Sequence, residues 1–189
     1  MVLTYSGVFI EYSTPKYLLK AFKKIESERP DIASNIKLNF LGLLRKENKK
    51  LIKKLKLEEY ITDFGYLTHK EAIEKLMSSD VLWLMVGRKK NIDAILPGKL
   101  FEYFGARKPI IACLPKGAAR TATVAYEAAF ITEPDDIDNI KDTILKVYEL
   151  YVKNELPKPH EDYIEKHRRD FLTEQLTKQF QFLIKEEVE

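Results

Sequence analysis

Short apolar runs rich in β-branched and aromatic residues alternate along this chain with stretches whose apolar positions recur at helical spacing. The runs VLTYSG (2–7), IKLNFLG (36–42), ITDFGYL (61–67), DVLWLMV (80–86), KPIIACL (108–114) and AAFITE (128–133) predict strands. Helices are predicted near 15–29, 46–57, 69–78, 98–106, 118–127 and 136–153. Start signals agree: Thr14-Pro15 opens the first, Thr68 precedes the third, and Pro134-Asp135 opens the long one. Several strands are apolar on both faces, which suits a parallel sheet covered by helices. The alternation predicts an α/β, doubly wound, Rossmann-like domain: three α/β/α layers around about six parallel strands.

Residues 154–189 break the alternation. NELPKPHEDY (154–163) holds two prolines and reads as a connector. IEKHRRDFLTEQLTKQFQFLI (164–184) then predicts two short helices, with Leu172, Leu176, Phe180 and Leu183 on one stripe of the second. Such a tail is expected to pack on something outside the sheet. The division is therefore 1–153 as the α/β domain and 154–189 as linker and C-terminal helices. The first strand begins almost at Met1, and so abrupt a start is expected of a domain cut from a longer chain.

Composition narrows the function classes. A net charge of +3 on 189 residues is too small a basic excess to suggest a nucleic-acid partner. The single cysteine, Cys113, lies in an apolar run and reads as a buried thiol. With no disulfide framework possible within the chain, a reducing, cytoplasmic setting is expected. No stretch reaches the roughly 18 apolar residues of a membrane span. His69, His160 and His167 have no metal-ligand spacing, and the acidic run PDDID (134–138) reads as a helix start, so no metal site is expected.

In an open parallel sheet, ligands bind beyond the carboxyl ends of the strands where the strand order reverses. With the order 3-2-1-4-5-6, the loops facing that crevice are YSGVFIEYSTP (5–15) and VGRKKNIDAILPGK (86–99). The second is long for such a connection and ends in Pro97-Gly98-Lys99, opening a helix. Free N–H groups, a positive dipole end and one lysine suit a diphosphate, although Pro-Gly is also an ordinary turn. Glu102 follows one turn later among Leu100, Phe101, Tyr103 and Phe104. One reading is an acid favouring the positive helix end. The other is a carboxylate lining the crevice and reaching past a diphosphate to the two hydroxyls of a ribose.

The segment LPGKLFEYFGARKPIIA resembles the donor site of GT-B glycosyltransferases of the group 1, family 4 type. LTYSG, IKLNFLG, ITDFGYL, SSDVLWLMV and the tail RRDFLTEQLTKQFQFLI fall in the family's order. The resemblance implies the C-terminal, nucleotide-sugar-binding half of a two-domain enzyme of polysaccharide or lipid-linked glycan synthesis. Glu102 would hold the ribose, and Gly98, Lys99 and Leu100 would face the diphosphate. Gly7 would admit the phosphates, and Tyr66 and Leu67 would flank the base. The implied chemistry is hexosyl transfer from a nucleotide diphosphate sugar, usually with retention, without a bound metal or other cofactor. The acceptor half, and the surface the tail returns to, would be a missing N-terminal domain. The isolated domain is expected to bind nucleotide weakly and to transfer little sugar.

The chain also departs from that pattern. A second, earlier glutamate common in the family would fall at Ala94, with Asp93 beside it as a substitute. Lys16 and Arg88 are candidates for the family's phosphate-contacting cations. No residue is assigned a catalytic role. The basic segment KENKKLIKKLKLEE (46–59) reads as a crossover helix with a solvated lysine face, or as a peripheral contact with anionic lipid at the inner face of a membrane. A receiver-like domain lacks its acidic cluster, and a dinucleotide-binding enzyme lacks G-x-G-x-x-G. A nucleotide-sugar epimerase-like protein, or a non-catalytic nucleotide-binding module, remains the alternative.

Overall fold

A computed structural model describes residues 1–9 and 13–186 of the chain. Six parallel strands form one sheet: β1 (Val2–Ser6), β2 (Lys37–Leu41), β3 (Ile61–Asp63), β4 (Val81–Met85), β5 (Ile110–Cys113) and β6 (Ala129–Thr132). Their order is β3-β2-β1-β4-β5-β6, as expected of a doubly wound sheet. The helices are α1 (Lys16–Glu28), α2 (Pro30–Ala33), α3 (Lys46–Leu55), α4 (His69–Met77), α5 (Lys99–Ala106), α6 (Ala118–Ala125), α7 (Ile137–Val152), α8 (Glu161–Glu165) and α9 (Arg169–Glu186). Short α2 was not expected; its Pro30 sits at a helix start, where a missing N–H costs nothing.

Two apolar layers hold the sheet. On one side Leu18, Phe22 and Ile25 of α1, Ile52 of α3 and Ile140, Ile144 and Val147 of α7 pack against Tyr5, Phe40 and Trp83. On the other, Leu76 of α4, Leu100, Tyr103 and Phe104 of α5, and Ile164 of α8 pack against Leu82, Leu84 and Ile110. All five residues of β4 are buried, as two-sided coverage demands.

Several elements differ from the expectation for local reasons. β3 stops at Asp63 rather than running to Leu67. The Asp63 carboxylate accepts a 3.1 Å hydrogen bond from Gly65 N–H, and Gly65 adopts φ +65°, so the chain turns there. The cap of α7 is Asp136, which accepts from Asn139 N–H at 3.0 Å, rather than the Pro134-Asp135 pair before it. α9 is long, not short: no glycine or proline interrupts residues 161–186.

The tail splits into two parts. α8 is held to the body: Ile164 is buried, and Arg107, in the left-handed region at the end of α5, donates to Glu161 at 2.9 Å and Glu165 at 3.0 Å. α9 instead leaves Phe171, Leu172, Leu176, Phe180, Phe182, Leu183 and Ile184 exposed. Among the described residues, no helix is long and apolar enough to cross a membrane.

Candidate functional site

The crevice opens where β1 and β4 part. β1 pairs with β2 along its whole length but with β4 only at Leu3↔Val81 and Thr4↔Leu82. Beyond that point Tyr103 of α5 bridges the gap: its hydroxyl accepts from Ser6 N–H at 2.9 Å and donates to the Trp83 carbonyl at 3.0 Å. The ring is fully buried, and burial pushes its phenol well above the usual tyrosine range. α5 is thus pinned with its N-terminus over the switch point of the sheet. The sequence offered no separate signal for Tyr103, which reads as one more core aromatic.

Three loops meet at the same end of the sheet. Gly7 N–H donates to the Leu41 carbonyl at 2.7 Å, and Gly42 N–H donates to the Gly65 carbonyl at 2.7 Å. Gly7 has φ +115° and Gly42 φ +117°, both in the region that favours glycine. A Cβ at Gly42 would lie 2.7 Å from the Gly7 carbonyl oxygen, so the two loops touch backbone to backbone. A Cβ at Gly7 would lie 2.7 Å from Lys99 Nζ, so the absent side chain of Gly7 makes the space the lysine occupies. Gly42, whose close approach to Gly7 makes this junction, is a residue that the sequence reading passed over.

Lys99 reaches 94 positions back along the chain. Its Nζ donates to the Tyr5 hydroxyl at 2.7 Å and lies 4.1 Å from the Tyr5 ring centre. Among the described residues, no carboxylate is within ion-pair distance of it. Burial lowers its pKa to about 8, only partly opposed by the more distant Glu102. A cation with lowered proton affinity beside exposed backbone is poised for an anion.

α5 presents one open face: Gly98, Phe101, Glu102 and Gly105 line a cleft of about 570 Å³, with His69 of α4 opposite. Leu100 and Tyr103 turn the other way into the core, while buried Phe104 forms part of the cleft floor. The helix is less enclosed than its composition suggested, because its apolar residues are unevenly divided between faces. Gly98 is exposed with ordinary helical angles. The Leu100 and Phe101 amides turn back onto the carbonyls of Pro97 and Gly98 at 3.0 and 3.1 Å. The Leu100 side chain is buried, so Gly98 and Lys99 are the members of that trio turned toward the crevice. Glu102 is half-buried, its Oε1 3.6 Å from His69 Nε2.

The remaining candidates scatter. Tyr66 is 90 % exposed in the loop after β3, and Leu67 packs at the edge of the second apolar layer. Lys16 is exposed at the start of α1, its Nζ over the ring of Tyr17. Arg88 is already occupied: it donates to Glu133 at 2.5 Å and to Asp135 at 3.4 Å. Asp93 and Ala94 share a 3₁₀ turn (Ile92–Ala94), where Asp93 is exposed and its backbone abuts Gly117. Of the first crevice loop (5–15), residues 10–12 lie outside the described residues. Its Phe9 is buried and stacks on Tyr5 at 4.1 Å, which anchors the loop's start. Among the described residues, no three His, Cys, Asp or Glu side chains gather in a way that could hold a metal ion.

No curated relative matches the sequence. Among solved structures, a glycosyltransferase from Rickettsia africae superposes with a TM-score of 0.69 at 18 % identity, over 96 % of this chain and 46 % of that one. The sucrose-phosphate synthase of Thermosynechococcus elongatus gives a TM-score of 0.69 at 14 % identity, over 98 % and 45 %. HepE of Anabaena, in complex with UDP and glucose, gives 0.62 at 18 % identity, over 82 % and 40 %. This chain therefore spans less than half the length of each, and at such identities the likeness is one of fold. At the level of sequence, residues 1–170 match a single family. The chain belongs to the glycosyl transferases group 1 family.

Proposed function

We propose that this chain is the donor-binding half of a two-domain GT-B glycosyltransferase, which transfers a sugar from a nucleotide diphosphate sugar to an acceptor. The observation that carries the reading is Lys99: a half-buried ammonium with no carboxylate partner among the described residues, against the bare backbone of Gly7, one turn before Glu102. A diphosphate supplies the missing counter-charge, and the start of α5 adds its dipole. During transfer the leaving diphosphate gains charge, and the same groups stabilise it. Glu102, on the open face of α5, is placed to accept from the two ribose hydroxyls, and the loop bearing Tyr66 and Leu67 lies toward the base. No step in this scheme is assigned to a metal or cofactor. That HepE is found with UDP and glucose supports a nucleoside diphosphate in this crevice. Family membership favours transfer over epimerisation.

The division at residue 153 belongs to the same proposal. The exposed apolar residues of α9 suit an N-terminal half that carries the acceptor site, and the match to less than half of each longer relative supports one. The lysine-rich outer side of α3, with exposed Leu43 before it, supports work beside an anionic membrane on a lipid-linked acceptor, at the cytoplasmic side. Polysaccharide or glycan synthesis of the family 4 type is the setting this fits.

The test is calorimetric or NMR titration of the chain with UDP, GDP and ADP, repeated with Glu102→Ala. Binding of one nucleotide, weakened about tenfold in the variant, is expected for a lost pair of charge-assisted hydrogen bonds. No binding at millimolar nucleotide, or binding indifferent to the substitution, overturns the reading.

A further inference from the structure

His69 entered the sequence reading only as a histidine without metal-ligand partners. The fold gives it a neighbour. Thr68 and Glu71 form a reciprocal cap at the start of α4: Thr68 N–H donates to the Glu71 carboxylate at 2.8 Å, and Glu71 N–H donates to Thr68 Oγ1 at 3.3 Å. This box fixes where the first residue of α4, His69, begins. α4 packs beside α5, and the imidazole Nε2 lies 3.6 Å from Glu102 Oε1 across the edge of the cleft. That is just beyond hydrogen-bond length, and a small side-chain rotation closes it.

The pair has little structural purpose. The His69 side chain is 77 % exposed and that of Glu102 37 %, and contacts this exposed add little to stability. It has a clear geometric consequence. A carboxylate on a helix surface samples several rotamers, and accepting two vicinal hydroxyls requires one of them. A donor on one oxygen restrains the group and leaves the second oxygen, with the remaining lone pairs, facing the crevice. Lys99 lies one turn before Glu102 on α5, and Arg168 and Arg169 line the same cleft as Glu102. Among the described residues, only His69 comes within ion-pair distance of the carboxylate.

We infer that His69 is a positioning residue for the ribose: it holds Glu102 in the orientation that accepts both hydroxyls, and so sharpens discrimination between ribose and 2′-deoxyribose. This rests on the donor-site reading above.

The experiment uses whichever of UDP, GDP and ADP binds tightest, together with its 2′-deoxy counterpart and inorganic pyrophosphate. The readout is the ratio of ribo to deoxy affinity. His69→Ala is expected to shrink that ratio about three- to fivefold, as suits one exposed charge-assisted contact. Pyrophosphate affinity and melting temperature should stay unchanged. His69→Gln, which keeps a donor, should restore most of the ratio, and His69→Phe should not. In the ligand-free chain, Glu102→Gln should move the imidazole NMR signals of His69 more than those of His160 or His167. An unchanged ratio in His69→Ala, with the ratio lost in Glu102→Ala, overturns the inference and leaves the donor site intact. A wild-type chain that binds no nucleotide, or binds ribo and deoxy forms alike, overturns the donor-site reading itself and this inference with it.

Discussion

Lys99 and Arg88 lie at the two ends of one long loop region after β4, and both are cations of the kind that phosphate sites recruit. Their surroundings are opposite. Arg88 is exposed and answered twice, by Asp135 and Glu133, which hold its guanidinium firmly in the charged form. Lys99 is half-buried, answered among the described residues by a tyrosine hydroxyl and ring, and holds its proton less tightly than a free lysine. Burying a charge without a partner costs stability, and a fold that keeps one invites an anion from outside. On the proposed reading, the contrast separates a cation that completes the fold from one left for a ligand, a distinction residue type alone cannot make.

The largest expected effect comes from removing the unanswered charge. Lys99→Met keeps the length and apolar stem but deletes the ammonium. Nucleoside diphosphate affinity should fall about 30-fold, near 2 kcal/mol for a charge-assisted contact in a desolvated site. Stability should rise at the same time, by about 2–4 °C in melting temperature for a gain on the order of 1 kcal/mol. The two signs together are the point: a lysine that served the fold would lose stability when removed. Calorimetric titration and thermal melts of the same sample decide it. A variant that melts lower and binds equally well removes Lys99 from the site.

Much of this arrangement was legible in the chain, and the reasons for the gaps are specific. The strands were legible because two-sided burial makes runs such as VLWLM wholly apolar, and the sheet order followed from helix-linked parallel strands. Glu102 stood out because an acid among Leu100, Phe101, Tyr103 and Phe104 asks for a reason. What no local pattern carries is proximity across the chain. Lys99 beneath Gly7, Tyr103 between Ser6 and Trp83, and His69 beside Glu102 are products of the sheet's topology. Arg88 was misleading for the same reason, since its partners lie 45 and 47 positions away. The early end of β3 could have been read from Asp63 and Gly65, whose spacing suits an aspartate-led turn.

The second way to sharpen the contrast is pH. Lys99 has a folded-state pKa of about 8, below the ordinary lysine value of 10.5, so between those values the unfolded chain binds more protons. This group therefore makes stability rise with pH across that window and leaves it flat below. Diphosphate binding has the opposite sign. It needs the ammonium, which the free protein already carries below pH 8 but must regain above it. Affinity should be level to about pH 7.5 and drop by up to about tenfold by pH 9, with proton uptake seen as a buffer-dependent binding enthalpy. Lys99→Arg, charged throughout, should flatten the curve. An equally steep fall in that variant assigns the titration elsewhere.

The smallest expected effect belongs to Arg88. Arg88→Ala removes a cation from the same loop region, yet its charge is spent on Glu133 and Asp135. Glu133 keeps a second guanidinium, that of Arg120 at 2.6 Å, so no carboxylate is stranded in a dry site by the loss. Exposed ion pairs of this kind add little to stability, so melting should shift by no more than about 3 °C. Nucleotide affinity should stay within about twofold of the wild type, the scale on which an uninvolved surface charge acts through the general field. The same titration that reads Lys99→Met reads this variant. A loss approaching that of Lys99→Met would mean that Arg88 leaves its carboxylates when the diphosphate arrives, and that a cation paired in the free protein can still serve a ligand. A small loss that vanishes at high salt would keep Arg88 at long range and leave Lys99 as the contact that distinguishes the site.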